Sequence, residues 1–265
     1  FQLSRQEHAE ALRAGYEALH SYHRQLRERA RETLLEVERE QRIAIVLLGR
    51  PYHNDPGINH GILAEFQKLG YPVLTQDALP TDADILERVF GEDMRQGLIA
   101  DPMSIDDVWK NSYSENTNRK VWAAKYVARH PNLVALELSS FKCGHDGPIY
   151  AVVQEIVESS GTPYFSFKDV DENKPSGSIR IRVETIGYFL RRYRDTLAER
   201  LRKRDEIEAA LRAYEARLLA ALGRTPAPHP RFVAPEERAS DGVSIELPRP
   251  LHRCTAHAVW RACCC

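Results

Sequence analysis

The chain has 265 residues, 43% of them hydrophobic and 28% charged, with a formal net charge of −1. That is an ordinary globular composition, and its balance of charge gives no reason to expect nucleic acid as a partner. No apolar run approaches the roughly 20 residues of a membrane helix, and no basic–apolar–small leader opens the chain.

Residues 1–41 are rich in Glu, Arg, Gln and Ala and contain no Pro. Leu12, Tyr16, Leu19, His23, Leu26, Ala30, Leu34 and Val37 recur by threes and fours, the stripe of one long amphipathic helix expected to pack on a sheet or on another helix. The pattern breaks at Arg42, where IAIVLL (43–48) reads as a strand buried on both faces. The turn-rich stretch GRPYHNDPGINHG (49–61) follows, then a helix carrying Ile58, Ile62, Leu63, Phe66 and Leu69 and stopped by Gly70. Residues 71–75 form a second short strand, 82–99 a helix with Leu86, Val89 and Phe90 on one side, and 104–129 one or two helices interrupted at the polar run 111–118. LVALEL (133–138) is the third strand. It leads into a turn with Cys143, Gly144, His145 and Asp146, where Asp146 is placed to cap the next helix and Pro148 to sit in its first turn. That helix ends near 159–161, a fourth strand spans 163–167, an acidic turn spans 168–174, and residues 179–222 are again helical.

Strands alternating with helical crossovers predict an α/β fold, a Rossmann-like or flavodoxin-like parallel sheet flanked by long amphipathic helices, with an irregular Pro-rich tail. The expected divisions are an N-terminal helix (1–41), the lobe (42–190), a C-terminal helix (191–222), and a Pro-rich linker with a Cys-rich end (223–265). The expected strand order is 2-1-3-4, which brings residues 49–53, 139–146 and 168–174 together at the carboxyl edge of the sheet, where open α/β sheets bind ligands.

Five cysteines do not make a disulfide scaffold here, since four of them fall in the last twelve residues. A reducing cytoplasm is the expected compartment. Cys143, alone in the body of the chain, sits where a strand hands over to a helix N-terminus. It reads either as a thiolate favoured by that position or as a small buried hydrophobe. Arg50, Tyr52 and His53 lie in a loop whose amides could face an anion, and His53 and His60 read either as acid–base groups or as loop hydrogen-bonding residues. The acidic turn lacks the spacing of a calcium loop. Cys254, His257, Cys263, Cys264 and Cys265 have zinc-ligand chemistry without zinc-site spacing. No dinucleotide fingerprint and no GxxxxGK[ST] occurs, and no catalytic residue is assigned.

Five stretches in succession, RIAIVLLGRPYHNDPGINHGI, LGYPVLTQDALP, NSYSENTNRKVWAAKYV, LSSFKCGHDGPIY and GTPYFSFKDVDENKPSGSIRIRVETI, resemble one family. It is the region that follows the ATPase portion of large acyl-CoA dehydratase activase proteins, related to 2-hydroxyacyl-CoA dehydratase and benzoyl-CoA reductase subunits and to double-cubane cluster proteins. The resemblance spans about residues 40–195. It implies ATP-driven, low-potential electron transfer serving acyl-CoA dehydration or reduction. Cys143 would be a ligand of a 4Fe-4S or double-cubane iron–sulfur cluster, with Arg50, Tyr52, His53 and His145 around it. With one body cysteine and Phe1 as first residue, the chain reads as a fragment whose remaining ligands lie outside it, or as a lobe used without a full cluster. ATP would bind only on a missing domain. The partners implied are an ATPase activase domain or subunit and an acyl-CoA substrate, with no nucleic acid and no membrane. The alternative is a non-catalytic lobe docking that ATPase to its partner.

Overall fold

A computed structural model describes residues 4–112, 114–139, 144, 146–168 and 176–221. Ten main elements follow in order: α1 (Arg5–Arg39), β1 (Ala44–Leu48), α2 (Ile62–Lys68), β2 (Val73–Thr75), α3 (Ala83–Arg95), α4 (Glu115–Arg129), β3 (Leu133–Leu138), α5 (Tyr150–Ser159), β4 (Tyr164–Phe167) and α6 (Ser176–Ala221). The four strands form one parallel sheet in the order β2-β1-β3-β4, the order expected from the sequence. Every residue of β1 and β3 is buried, as a central strand covered on both sides requires.

The alternation of side chains along the strands gives the sheet two unlike faces. Ile45 and Leu47 of β1 and Val134, Leu136 and Leu138 of β3 join Ile62 and Phe66 of α2 and Ile179, Val183, Leu190 and Leu197 of α6 in one apolar core. The other face carries α4 against β1 and β3, with α5 beside α4. There Phe90 of α3 meets Trp122 and Tyr126 of α4 at ring separations of 6.2 and 6.1 Å. The C-terminal part of α1 closes this side, burying Ala30, Leu34 and Val37 and pairing with α3 through Arg31–Asp84 (2.9 Å) and Glu38–Arg88 (3.0 Å).

Two glycines mark where α2 is shaped by its neighbours. Gly70, at φ +87°, turns the chain out of α2 in a conformation that L side chains rarely adopt. Gly187 lets α6 lie directly on the end of α2, since a Cβ there would fall 2.8 Å from Leu69 Cδ1, and its carbonyl accepts the Tyr71 hydroxyl at 3.1 Å.

The two long helices depart from one expectation. Their stripes do not pack along their full length: Leu12, Tyr16 and Leu19 of α1 and Ile207, Leu211, Tyr214 and Leu218 of α6 are exposed. Among the described residues the buried apolar positions of these helices are Ala30, Leu34 and Val37 at the C-terminal end of α1 and Ile179, Val183, Leu190 and Leu197 in the first half of α6. α6 also begins at Ser176, well inside the expected lobe, and supplies part of its core. The Pro- and Cys-rich segment 223–265 lies outside the described residues.

The contrast along α6 is testable. Leu190→Ala, in the core, is expected to cost about 2–5 kcal/mol, whereas Leu211→Ala on the exposed half should stay within about 0.5 kcal/mol of the parent. Urea denaturation monitored by circular dichroism measures both.

Candidate functional site at the carboxyl edge

β1 ends at Leu48, and after Gly49 and Arg50 the chain turns through the short 3₁₀ segment Pro51–Asn54. This turn is closed on itself. The Arg50 amide donates to His53 Nδ1 at 3.0 Å, and Asn59 Nδ2 donates to the His53 carbonyl at 2.9 Å. The Gly49 amide donates to Gln76 Oε1 at 3.2 Å, tying the turn to the end of β2. A Cβ at Gly49 would stand 2.9 Å from His53 Nδ1, so the packing of the His53 ring selects glycine there. Because Nδ1 accepts a hydrogen bond, the neutral imidazole carries its proton on Nε2. Burial, followed by the charge of Lys120, lowers the His53 pKa to about 4; Arg50 adds to the effect and Asp146 opposes it. His53 is thus a buried neutral hydrogen-bonding residue, and Tyr52, its ring 4.5 Å away, is exposed.

From this turn Arg50 reaches Asp146, with Nε at 3.1 Å and Nη2 at 3.0 Å from Oδ1. Asp146 precedes a 3₁₀ turn, Gly147–Ile149, ahead of α5, and its side chain makes no capping hydrogen bond. The capping role expected from its position is displaced by two cations: besides Arg50, Lys120 Nζ of α4 lies 3.3 Å from Asp146 Oδ2. Lys120 Nζ also donates to Glu137 Oε1 at 3.1 Å, and Tyr164 of β4 donates its hydroxyl to Glu137 Oε2. Lys120, Glu137 and Asp146 are each at most 1% exposed. Burial pushes the Glu137 carboxyl upward, while the charge and hydrogen bond of Lys120 and the Tyr164 hydroxyl work against that. Burial and Glu137 raise the Tyr164 phenol, keeping it protonated.

Two carboxylates and two cations therefore form a compensated buried network linking β1, α4, β3, β4 and the start of α5. It brings Arg50 and Asp146 together, as expected for the turns after two central strands. Cys143, His145 and the turn 169–175 lie outside the described residues. Lys168, just before that turn, stands 5.6 Å over the Tyr150 ring. Sequence reasoning missed Lys120, Glu137 and Tyr164. The signal was a lone Glu in a strand whose other residues are apolar, since such a charge requires a buried partner.

Residues 1–79 match the family model described as the CoA enzyme activase uncharacterised domain. The match is to a CoA enzyme activase domain. It agrees with the resemblance to acyl-CoA dehydratase activases, and it runs from α1 through the end of β2, so it includes Arg50, Tyr52, His53 and Gln76. No curated protein and no solved structure matches the chain. Among the described residues no helix is long and apolar enough to cross a membrane.

Removing Lys120 leaves two buried carboxylates with one cation between them. Lys120→Met should destabilise the chain by about 3–5 kcal/mol. Adding Glu137→Leu should recover much of that loss, a coupling that a double-mutant cycle in urea measures.

His53 gives a pH signature. Its folded pKa of about 4 lies below the unfolded 6.5, so its contribution is complete above 6.5 and lost as pH falls from 6.5 through 4. Acidification across that window should remove about 2–3 kcal/mol through this group. The His53→Gln variant should show a correspondingly flatter stability–pH curve.

Proposed function

We propose that this chain supplies a non-catalytic positioning lobe to a CoA enzyme activase system, docking an ATPase activase domain to its partner. The observation that carries the reading is that, among the described residues, four charges at the carboxyl edge are consumed within the fold. Arg50, Lys120, Glu137 and Asp146 compensate one another, and His53 is buried, neutral and hydrogen-bonded. In this reading the described part of the edge, which commonly carries chemistry in such sheets, serves as a support. The system would work in the cytoplasm, on an acyl-CoA handled by the partner.

A second reading has its own observation. Ser139, the residue after β3, donates its amide to the Phe167 carbonyl at 3.0 Å, and Asp146 is fixed to Arg50, so the residues that flank the Cys143 and His145 segment are both held at this edge. In that reading Cys143 ligates an iron–sulfur cluster that supplies low-potential electron transfer when bound. The described residues do not by themselves fit such a cluster: among them no group of three or more His, Cys, Asp or Glu could hold a metal. The other ligands would have to come from elsewhere, and no step is derived through the cluster.

One experiment separates the two. In the anaerobically purified full-length activase, Cys143→Ser should leave iron content and assembly with the partner unchanged, while Asp146→Asn should weaken assembly by freeing the two turns. Loss of iron in Cys143→Ser, with an unaltered melting temperature, would overturn the positioning reading in favour of the cluster, because a hydroxyl is a poor ligand of nearly the same shape.

A further inference from the structure

At the amino edge of the sheet, the end opposite the Lys120 network, the residues that lead into β1 and β2 meet α6. Arg42 precedes β1 and Tyr71 precedes β2, and Tyr71 donates its hydroxyl to the Gly187 carbonyl of α6 at 3.1 Å. One and two turns further along α6, Arg191 and Arg194 join Arg42, Ile43, Leu69 and Tyr71 around a pocket of about 180 Å³. At roughly 30 Å³ per water molecule that is room for about six waters. The space suits a small oxoanion and falls below the size of a site that encloses a drug-sized ligand.

The charge around this pocket is one-sided. Its lining holds three arginines and, among the described residues, no acid. Arg42 is already committed, with Nη2 donating to the Gly70 carbonyl at 2.8 Å and Nη1 paired with Glu40 at 3.0 Å and Glu36 at 3.7 Å. Arg191 and Arg194 are held far more loosely. The Arg191 guanidinium lies 5.9 Å from the Tyr188 ring and forms no ion pair among the described residues, and Arg194 meets Asp195, its neighbour in sequence, at 3.6 Å with both side chains largely in solvent. Spaced i, i+3, the two arginines stand side by side on one face of α6, where like charges repel. Burial raises the Tyr71 phenol, and Arg191 and Arg194 oppose that rise, so their charge is felt inside the pocket as well as at its mouth.

We propose that this pocket is a binding site for a phosphate group, free or as a small monoester, gripped by Arg191 and Arg194 against the fixed wall of Arg42 and Tyr71. Guanidinium forks match phosphate oxygens two at a time. A phosphate monoester carries close to two negative charges at neutral pH, the charge that Arg191 and Arg194 together balance, whereas a carboxylate carries one. The site is remote from the carboxyl edge, and it stands or falls independently of the function proposed for the lobe.

Inorganic phosphate and AMP are the probes, with acetate as the monoanionic control. Calorimetric titration of the full chain at fixed ionic strength, which holds the screening of exposed charges constant, should give a dissociation constant for phosphate on the order of 1 mM. Acetate should bind at least about ten-fold more weakly. Arg191→Gln and Arg194→Gln, at exposed positions, should each weaken phosphate about ten-fold without lowering the melting temperature. Arg191→Lys should recover part of the loss, as a point charge without the fork. Arg192→Gln, an exposed neighbour outside the pocket lining, should leave the affinity unchanged. AMP binding at least as tightly as phosphate would assign the site to an ester, and binding of phosphate with AMP excluded would assign it to the free ion. Absence of binding by both probes at about ten-fold above the expected constant, equal binding of acetate, or a loss in Arg192→Gln as large as in Arg191→Gln would overturn the proposal.

Discussion

The ammonium group of Lys120 is the point on which the carboxyl edge depends. Glu137 sits on a central strand with no access to water, and an unpaired charge there would cost several kcal/mol. Pairing it fixes the rotation of α4 against β3. The second contact of Lys120, to Asp146, fixes the start of the α5 region, and the remaining contact of Asp146, to Arg50, fixes the turn after β1. Four segments distant in sequence are thereby held in register by interactions that have no slack. Losing any member leaves its partner stranded in a medium that stabilises charge poorly.

α4 is the element that distributes roles around this edge. Within little more than one turn, Lys120 turns inward to the buried carboxylates, Arg119 reaches Asp77 beyond β2, and Trp122 donates to the Pro102 carbonyl in the connection between α3 and α4. The opposite face of the sheet has no such division of labour, being an apolar layer of α2 and α6. The asymmetry follows from what each layer does. The α2–α6 face supplies hydrophobic stabilisation, and the α4 face supplies position.

Much of this architecture was legible in the residues. The continuous apolar runs of β1 and β3, with helical periodicity between strands, indicated a doubly covered parallel sheet, and the long second crossover indicated the reversal that yields the observed strand order. The juxtaposition of the turns after β1 and β3 followed from topology alone. The chemistry that joins them did not. Asp146 was placed correctly, but its preceding-a-helix position suggested a cap, and only the fold shows that Lys120 and Arg50 compete successfully for its oxygens. Lys120 itself lies in a stretch of mixed polarity, and nothing in the periodicity separates an inward lysine from the solvated Arg119 beside it. The long helices misled in a different way: a periodic stripe reports a preference for burial, not the length of the surface available to bury it, so Leu12 and Leu211 read like Leu34 and Leu190 although they remain in water.

The lengths of the outer strands carry a consequence of their own. An open sheet ends in rows of backbone donors and acceptors that can recruit a strand from another molecule. Here the two outermost strands are the shortest, with three residues in β2 and four in β4, against five and six in the strands between them. A template that brief offers an incoming strand only a few ladder bonds before the chain turns away into a helix or loop. The sheet can therefore stay open at both margins without inviting aggregation by strand addition, and brevity serves where other folds use charge, proline or closure into a barrel.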